Sequence, residues 1–513
     1  MAETVGMLIV GAIAPGAITG IGFGSAISGA SFLGVSLVTG VGTAALLGAS
    51  IGLQYALNNK DVPKPEGGAQ PLKQAIPPRQ RGYWVNRLSG YYMLFMVANH
   101  QSLDMIAFHS GPIEEVLQLY LHDVPVSVDP PMTHGAVSNV LIVGEMAYQG
   151  VQIQAFYWRD DQNSADLINE TNSVGVWTSA MAGKGIACLG MACAAAEDAE
   201  QFTKMYPQGL PLPSVVAKCS PIWNPRDPSQ SRSNRATWKA SPNPVLQLIN
   251  YLTEPDGGMG EGLDDILPPA TLAQWMEEAN ICDEDVGGRS RYLSAGWYQF
   301  DNSPENVINK ILATCDGWLC EGGDGSLVLT VGKFRTPTDP PITDKHLVGY
   351  TLAYGQADED TINQLDISFT NPDSRYASYH VASIRDEESI SRSGIVRAQP
   401  LELSWVQNGN QAIELGRRAM LRLNPELSGT LTTTLYGLRY LGKRWVKVQI
   451  PTIRGLEDCV VEIQDRATVD LRGGCVTFKF NTVNVAAMLA SRKREGDGYT
   501  TREGGGLRIR ETL

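Results

Sequence analysis

Between Glu3 and Lys60 the chain carries no charged side chain. An uncharged run of this length is a segment to be packed against protein or lipid, and it is long enough to cross a bilayer. It is not a secretory signal, because "MAETVG" lacks a positive start and the apolar run is too long. Pro15 and the many Gly, Ser and Thr residues make it only weakly apolar, and no Lys/Arg cluster flanks it to set an orientation. Gly16, Gly20 and Gly24, and again Gly48 and Gly52, recur at four-residue spacing, which lets helix backbones approach closely. Residues 1–57 are therefore expected to be an apolar helical segment that packs within a protein assembly. "TGVGTAAL" contains a GxGxxA string, but "ALNNKDVPKPEGG" supplies no second strand, so it is not read as a dinucleotide-binding turn.

The rest of the chain is ordinary in composition. Hydrophobic residues make up 43% and charged residues 19% of 513 positions. At ~100–200 residues per domain this length corresponds to about three to five domains. A net charge of −13 disfavours broad binding to nucleic acid. The eight cysteines are too dilute for a disulfide framework, and the spacing of Cys188/Cys193 and Cys315/Cys320 is not a zinc pattern, so buried free thiols are expected.

The pattern predicts an α+β, mainly β protein: two antiparallel β domains around a helical insertion. Residues 58–82 are a linker rich in Pro, Gly and charge. Residues 83–164 alternate as strands, with "HQS" and "HD" as turns, and 165–242 mix strand, helix and polar loop. Residues 243–345 carry helix punctuation. Asn243 precedes Pro244 and the apolar stripe Val245, Leu248, Ile249 and Leu252; Thr271 and Gln274 read as a capping box; Ser303-Pro304 opens a third helix. Residues 346–488 return to strands, interrupted by the helix "AIELGRRAMLRL". Residues 489–513 form a basic tail expected to be flexible, with Arg492, Lys493, Arg494, Arg508 and Arg510 as candidate adaptor contacts.

No motif implies catalysis, a metal or a cofactor. There is no GxSxG elbow, HExxH helix or Walker loop. His100, His109 and His122 lack partners at ligand spacing and are expected to be turn or surface residues. "EEANICDEDVGG" lacks the alternating ligands of a calcium loop.

Three stretches are more specific: "IPPRQRGYWVNRLSGYYMLF" (76–95), "WKASPNPVLQLINYLTEPDGGMGEGLDDI" (238–266) and "NVINKILATCDGWLCEGGDGSLVL" (306–329). In that order the chain resembles, over roughly residues 70 to 485, the hub portion of tail tip attachment proteins of long-tailed phages, the lambda protein J family. The Asn-Pro helix carries most of the resemblance, so Trp238, Asn243, Pro244 and Leu248 are its structural motif. The resemblance implies a homotrimer at the distal end of the tail, whose paired tube-like β domains make a pseudo-sixfold ring. It further implies contacts with a tail tube or distal tail protein and with the tape-measure protein, and passage of phage DNA without specific binding. Lambda-type chains continue into receptor-binding modules, so a separate receptor-binding or fibre protein is expected here. By length alone, residues 7–57 are expected either to make a transient host-membrane contact on ejection or to remain as a structural plug of the hub. The competing expectation is a membrane-anchored bacterial protein with a β-rich soluble domain.

Overall fold

The computed structural model describes residues 77–494 except 99, 142–146, 159–176, 179, 182 and 356–360, together with 499–502 and 506–509. The expectations for Gly16, Gly20, Gly24, Gly48 and Gly52, and for most of the linker, lie outside the described residues.

After β1 (Gln80–Tyr83), the chain builds a nine-stranded curled sheet from β2 (Val85–Leu88), β3 (Tyr91–Ala98), β4 (Gln101–Ser110), β5 (Glu115–Leu121), β6 (Val124–Asp129), β7 (Val137–Leu141), β8 (Val151–Phe156), β9 (Ile186–Ala194) and β10 (Pro213–Lys218). Helix α1 (Ala199–Met205) links the last two. The strand order is β2-β10-β5-β6-β7-β8-β9-β4-β3. His100 and His122 turn the β3–β4 and β5–β6 hairpins with φ of 63° and 52°. β9, "IACLGMACA", is apolar on both faces, as a covered strand must be. Ala187, Leu189, Met191 and Cys193 enter one core, while Cys188 and Ala192 pack on the opposite face with Leu103, Met105 and Phe156.

The sheet extends past residue 164, where the sequence pattern divides. β9 seats itself between β8 and β4, and β10 between β2 and β5. Strand pairing is a long-range decision, and no local signal marks which earlier strands a later one will join.

The centre is helical. α2 (Pro244–Thr253), α3 (Leu263–Ile266), α4 (Pro269–Asp283) and α5 (Pro304–Thr314) pack with β11 (Gly296–Gln299) and the hairpin β12 (Trp318–Glu321) and β13 (Leu327–Thr330). Asn243 Oδ1 accepts from the Val245 and Leu246 amides at 3.0 and 3.4 Å, and its Nδ2 donates to Ala279 O at 2.9 Å, tying α2 to α4. Ser303 accepts from the Asn306 amide at the start of α5. The capping box expected at Thr271 is absent. α4 starts two residues earlier at Pro269, without a side-chain cap. Thr271 instead hydrogen-bonds Ser326, and Gln274 donates to Leu329 O, so both hold the β12–β13 hairpin.

The second curled sheet has seven strands: β14 (Ile342–Thr343), β15 (Leu347–Tyr354), β20 (Leu427–Thr434), β21 (Trp445–Gln449), β22 (Cys459–Ile463), β23 (Thr468–Asp470) and β24 (Cys475–Thr482). Between β15 and β20 the chain leaves it. β16 (Gln364–Asn371), β17 (Ala377–His380), β18 (Ile384–Arg385) and β19 (Ala398–Leu403) make a separate small sheet, accompanied by α6 (Glu387–Ser393) and α7 (Gly409–Leu423). Leu365, Ile367, Leu401, Leu403 and Leu415 join the same core as Leu248 and Ile311. Residues 364–423 therefore complete the helical centre, although their strand pattern groups them with the second β region. The chain continues through α8 (Val485–Arg494), which contains Arg492, Lys493 and Arg494, to β25 (Tyr499–Arg502) and β26 (Gly506–Ile509), which contains Arg508. Those four side chains, and Arg510, lie outside the described residues.

Candidate assembly surfaces

The first sheet has one edge strand held at the centre and the other left open, whereas the second is held through an interior strand, β22, and leaves the long edge β15 open. β1 pairs with β11 antiparallel, from Gln80 opposite Gln299 to Tyr83 opposite Gly296, and so carries the first sheet into the centre. Arg79 reaches Asp256 at 2.5 Å and lies over the Phe300 ring. The Tyr83 hydroxyl donates to Asn250 Oδ1 at 2.9 Å. At the edge strand β2, Arg87 binds Asp123, Ser214 and the Arg375 carbonyl, and Gln407 donates to Val85 O. His109 is buried at this joint, not on the surface as its sequence context suggests. Its ring nitrogens face the carbonyls of Gly111 and Gly82 and the hydroxyl of Ser220. Burial, aided by the Arg81 charge, pushes its pKa down to about 4, so the ring is neutral.

The second sheet is held by a buried ionic network. Arg422 grips Asp316 with two bonds of 2.7 and 2.8 Å and reaches Glu462 at 2.9 Å. Arg444 bridges the same two carboxylates at 3.1 and 2.7 Å, and Arg418 stands 3.8 Å from Asp316. α7, the turn after α5 and strand β22 are thus locked together. Burial raises the Asp316 pKa, but Arg422 and Arg444 outweigh it and hold the carboxyl well below the usual carboxylate range. The Trp318 indole adds a hydrogen bond to Ile463 O.

The long open edges are β3 and β15. Among the described residues β3 pairs only with β4, and β15 only with β20. Both are eight residues long. Phe95 is 50% and Val97 72% exposed on β3; Val348, Tyr350 and Tyr354 are 61%, 52% and 60% exposed on β15. Long open edges with exposed apolar side chains invite pairing with another chain, and monomeric proteins avoid them. Alternation in "YYMLFMVAN" marks the strand, but only the tertiary pairing makes it an edge.

Of the motif residues named from sequence, Asn243, Pro244 and Leu248 are buried together in the centre. Trp238 is not among them: it is half-buried on a surface loop, with its indole donating to Ser231 O. Among the described residues no three metal-ligating side chains converge, and no helix is long and apolar enough to cross a membrane. Burial pushes the thiols of Cys188, Cys193 and Cys219 up to about 12, which leaves them inert as nucleophiles.

No protein-family model matches the chain, and no curated protein is significantly similar to it. Solved structures are more informative. A chain in the virion of a native gene transfer agent particle is similar at 13% identity, with a TM-score of 0.53, over 86% of this chain and 91% of that one. The 43 kDa tail protein of prophage MuSo2 from Shewanella oneidensis (13% identity, 80% and 96% covered) and a tail protein from Neisseria meningitidis MC58 (10%, 81% and 98%) align with TM-scores of only 0.28 and 0.30. The likeness to the gene transfer agent chain is one of fold.

Proposed function

We propose that the chain is a structural virion protein: the trimeric hub that closes the distal end of a phage tail tube and opens for DNA ejection. The observation carrying this reading is the pair of curled sheets, each ending in an eight-residue apolar open edge. In a closed ring of three copies, β3 of one copy lies against β15 of the next. This is a heterologous contact that leaves neither of the two long edges free once the ring closes. Two sheets per copy give pseudo-sixfold symmetry, which suits a sixfold tube. The fold shared with a chain of a virion agrees with this role. A net charge of −13 repels phosphates and suits a channel that DNA crosses without sticking.

In this reading the hub meets a tail tube or distal tail protein on one side and leaves host binding to a separate receptor-binding or fibre protein. Residues 7–57 lie inside the assembly, on the threefold axis or against the tape-measure protein, and on ejection either enter the host membrane or stay behind as a plug. Residues 491–513 serve as an adaptor. The buried part of the Asn-Pro motif stabilises the centre and performs no chemistry.

The test is the mass of the purified full-length chain in solution, followed by imaging of the particle. A trimer that Phe95→Glu or Tyr350→Glu converts to a folded monomer supports the reading. A monomer at every concentration, or a trimer with β3 and β15 facing solvent, overturns it.

A further inference from the structure

A cavity of about 190 Å³ opens between α2 and the loop that follows β10, and the assembly reading does not use it. Its walls are unusual for a surface hollow. Trp223 forms one side and packs against the central core. Trp238 forms another, with its ring fixed by the 2.9 Å bond to Ser231 O and by the Arg235 guanidinium 5.1 Å from its centroid. The loop is stiffened by its own side chains: Asn224 takes the Arg226 amide, Asp227 the Ser229 amide and Asn234 the Ala236 amide. Two indoles are thus held in place beside open solvent, which is the arrangement of a preformed site rather than of a core.

The polar groups narrow the ligand class. Arg235 and Arg232 line the cavity but are already paired, to Glu254 at 3.0 Å and to Asp264 at 3.3 Å. Glu261 has no ion-pair partner among the described residues. Asn250 is 93% buried and spends its oxygen on Tyr83, while its Nδ2 has no partner among the described residues. Two guanidiniums and two carboxylates line the hollow, so the formal charge of the lining cancels. That disfavours a phosphate or another anion, and the arginines disfavour a quaternary ammonium. The volume corresponds to about six waters. What remains is a small neutral ligand with apolar C–H faces for the indoles and a rim of hydroxyls for carboxylate acceptors and N–H donors.

We propose that this cavity binds one neutral pyranose residue of a glycan. Trp238 and Trp223 cover the faces of the ring, Glu261 and Glu254 accept from its hydroxyls, and Asn250 Nδ2 and Arg235 donate to them. The inference is independent of how the sheets assemble.

Saturation-transfer NMR on the full-length chain tests it, with the methyl pyranosides of glucose, galactose and mannose and with N-acetylglucosamine. Glucuronate, inorganic phosphate and choline are the charged probes. At least one neutral sugar should show transfer to its ring C–H protons, and Trp238→Ala should weaken that binding by about tenfold or more. Trp238 lies outside the core clusters, so this variant should keep its unfolding midpoint; Glu261→Gln, which preserves shape, should weaken binding several-fold. Silence from every neutral sugar, binding confined to a charged probe, or binding that survives Trp238→Ala overturns the proposal.

Discussion

The two curled sheets meet the same demand by different means. Each must be fixed to the helical centre and still leave one long strand edge open. The first does so through its own backbone: β1 continues into a ladder with β11, and surface ion pairs and a neutral buried histidine complete the joint. The second shares no such ladder with the helical core among the described residues and is locked by five buried charges, Asp316, Arg418, Arg422, Arg444 and Glu462. A ladder tolerates the loss of any one side chain. A buried ionic cluster does not, because removing one member leaves its partner charged and desolvated. The joints should therefore differ in their response to mutation and to acid.

The comparison breaks most directly at Asp316. Asp316→Ala should cost about 3–5 kcal/mol and loosen β22 before β9, read by urea denaturation with hydrogen exchange. Equal loosening of both sheets would show that the network does not belong to one joint.

Acid should reverse the order. The folded pKa of His109 lies at about 4 against an ordinary 6.5, so its contribution is complete above pH 6.5 and is lost as pH falls toward 4, by about 3 kcal/mol in all. The carboxyl of Asp316 is depressed, so its contribution is complete above about pH 3.9 and is lost only below that. Between pH 6.5 and 4, hydrogen exchange should accelerate at the first joint alone, and a His109→Gln variant should remove the difference.

A smaller effect probes the centre that both joints share. Asn243→Ala removes the cap of α2 and leaves Ala279 O without its donor, at a cost of about 2 kcal/mol in thermal unfolding, with both sheets losing stability together. The smallest lies at the rim of the first joint. Arg79 and Asp256 are both exposed, so Arg79→Ala should change stability by less than about 1 kcal/mol and less still in high salt. A larger loss would mean that this pair, rather than the β1–β11 ladder, holds the sheet.

Local chemistry was legible wherever one residue and its near neighbours decide the outcome. Asn243-Pro244 and Ser303-Pro304 open helices because a side-chain oxygen meets an amide two or three residues on. The His122-Asp123 turn and the hairpin around Gly323-Asp324-Gly325 follow from the same short range. Thr271 and Gln274 carried the same kind of signal and did something else. Pro269 had already begun the helix, and both side chains found better partners on β12–β13.

The sequence by itself determined the mainly β class, the helical centre and the starts of α2 and α5, since hydrophobic period and capping act over a few residues. Only the tertiary structure decided that β9 and β10 belong to the first sheet and that residues 364–423 leave the second for the centre. It alone buried His109 and the arginines of the Asp316 network, made β3 and β15 into long open edges, and set Trp238 beside Trp223. Each of these depends on pairing or packing between residues far apart in the chain, where the free energy comes from strand partners, shared cores and desolvated charges that no local pattern specifies.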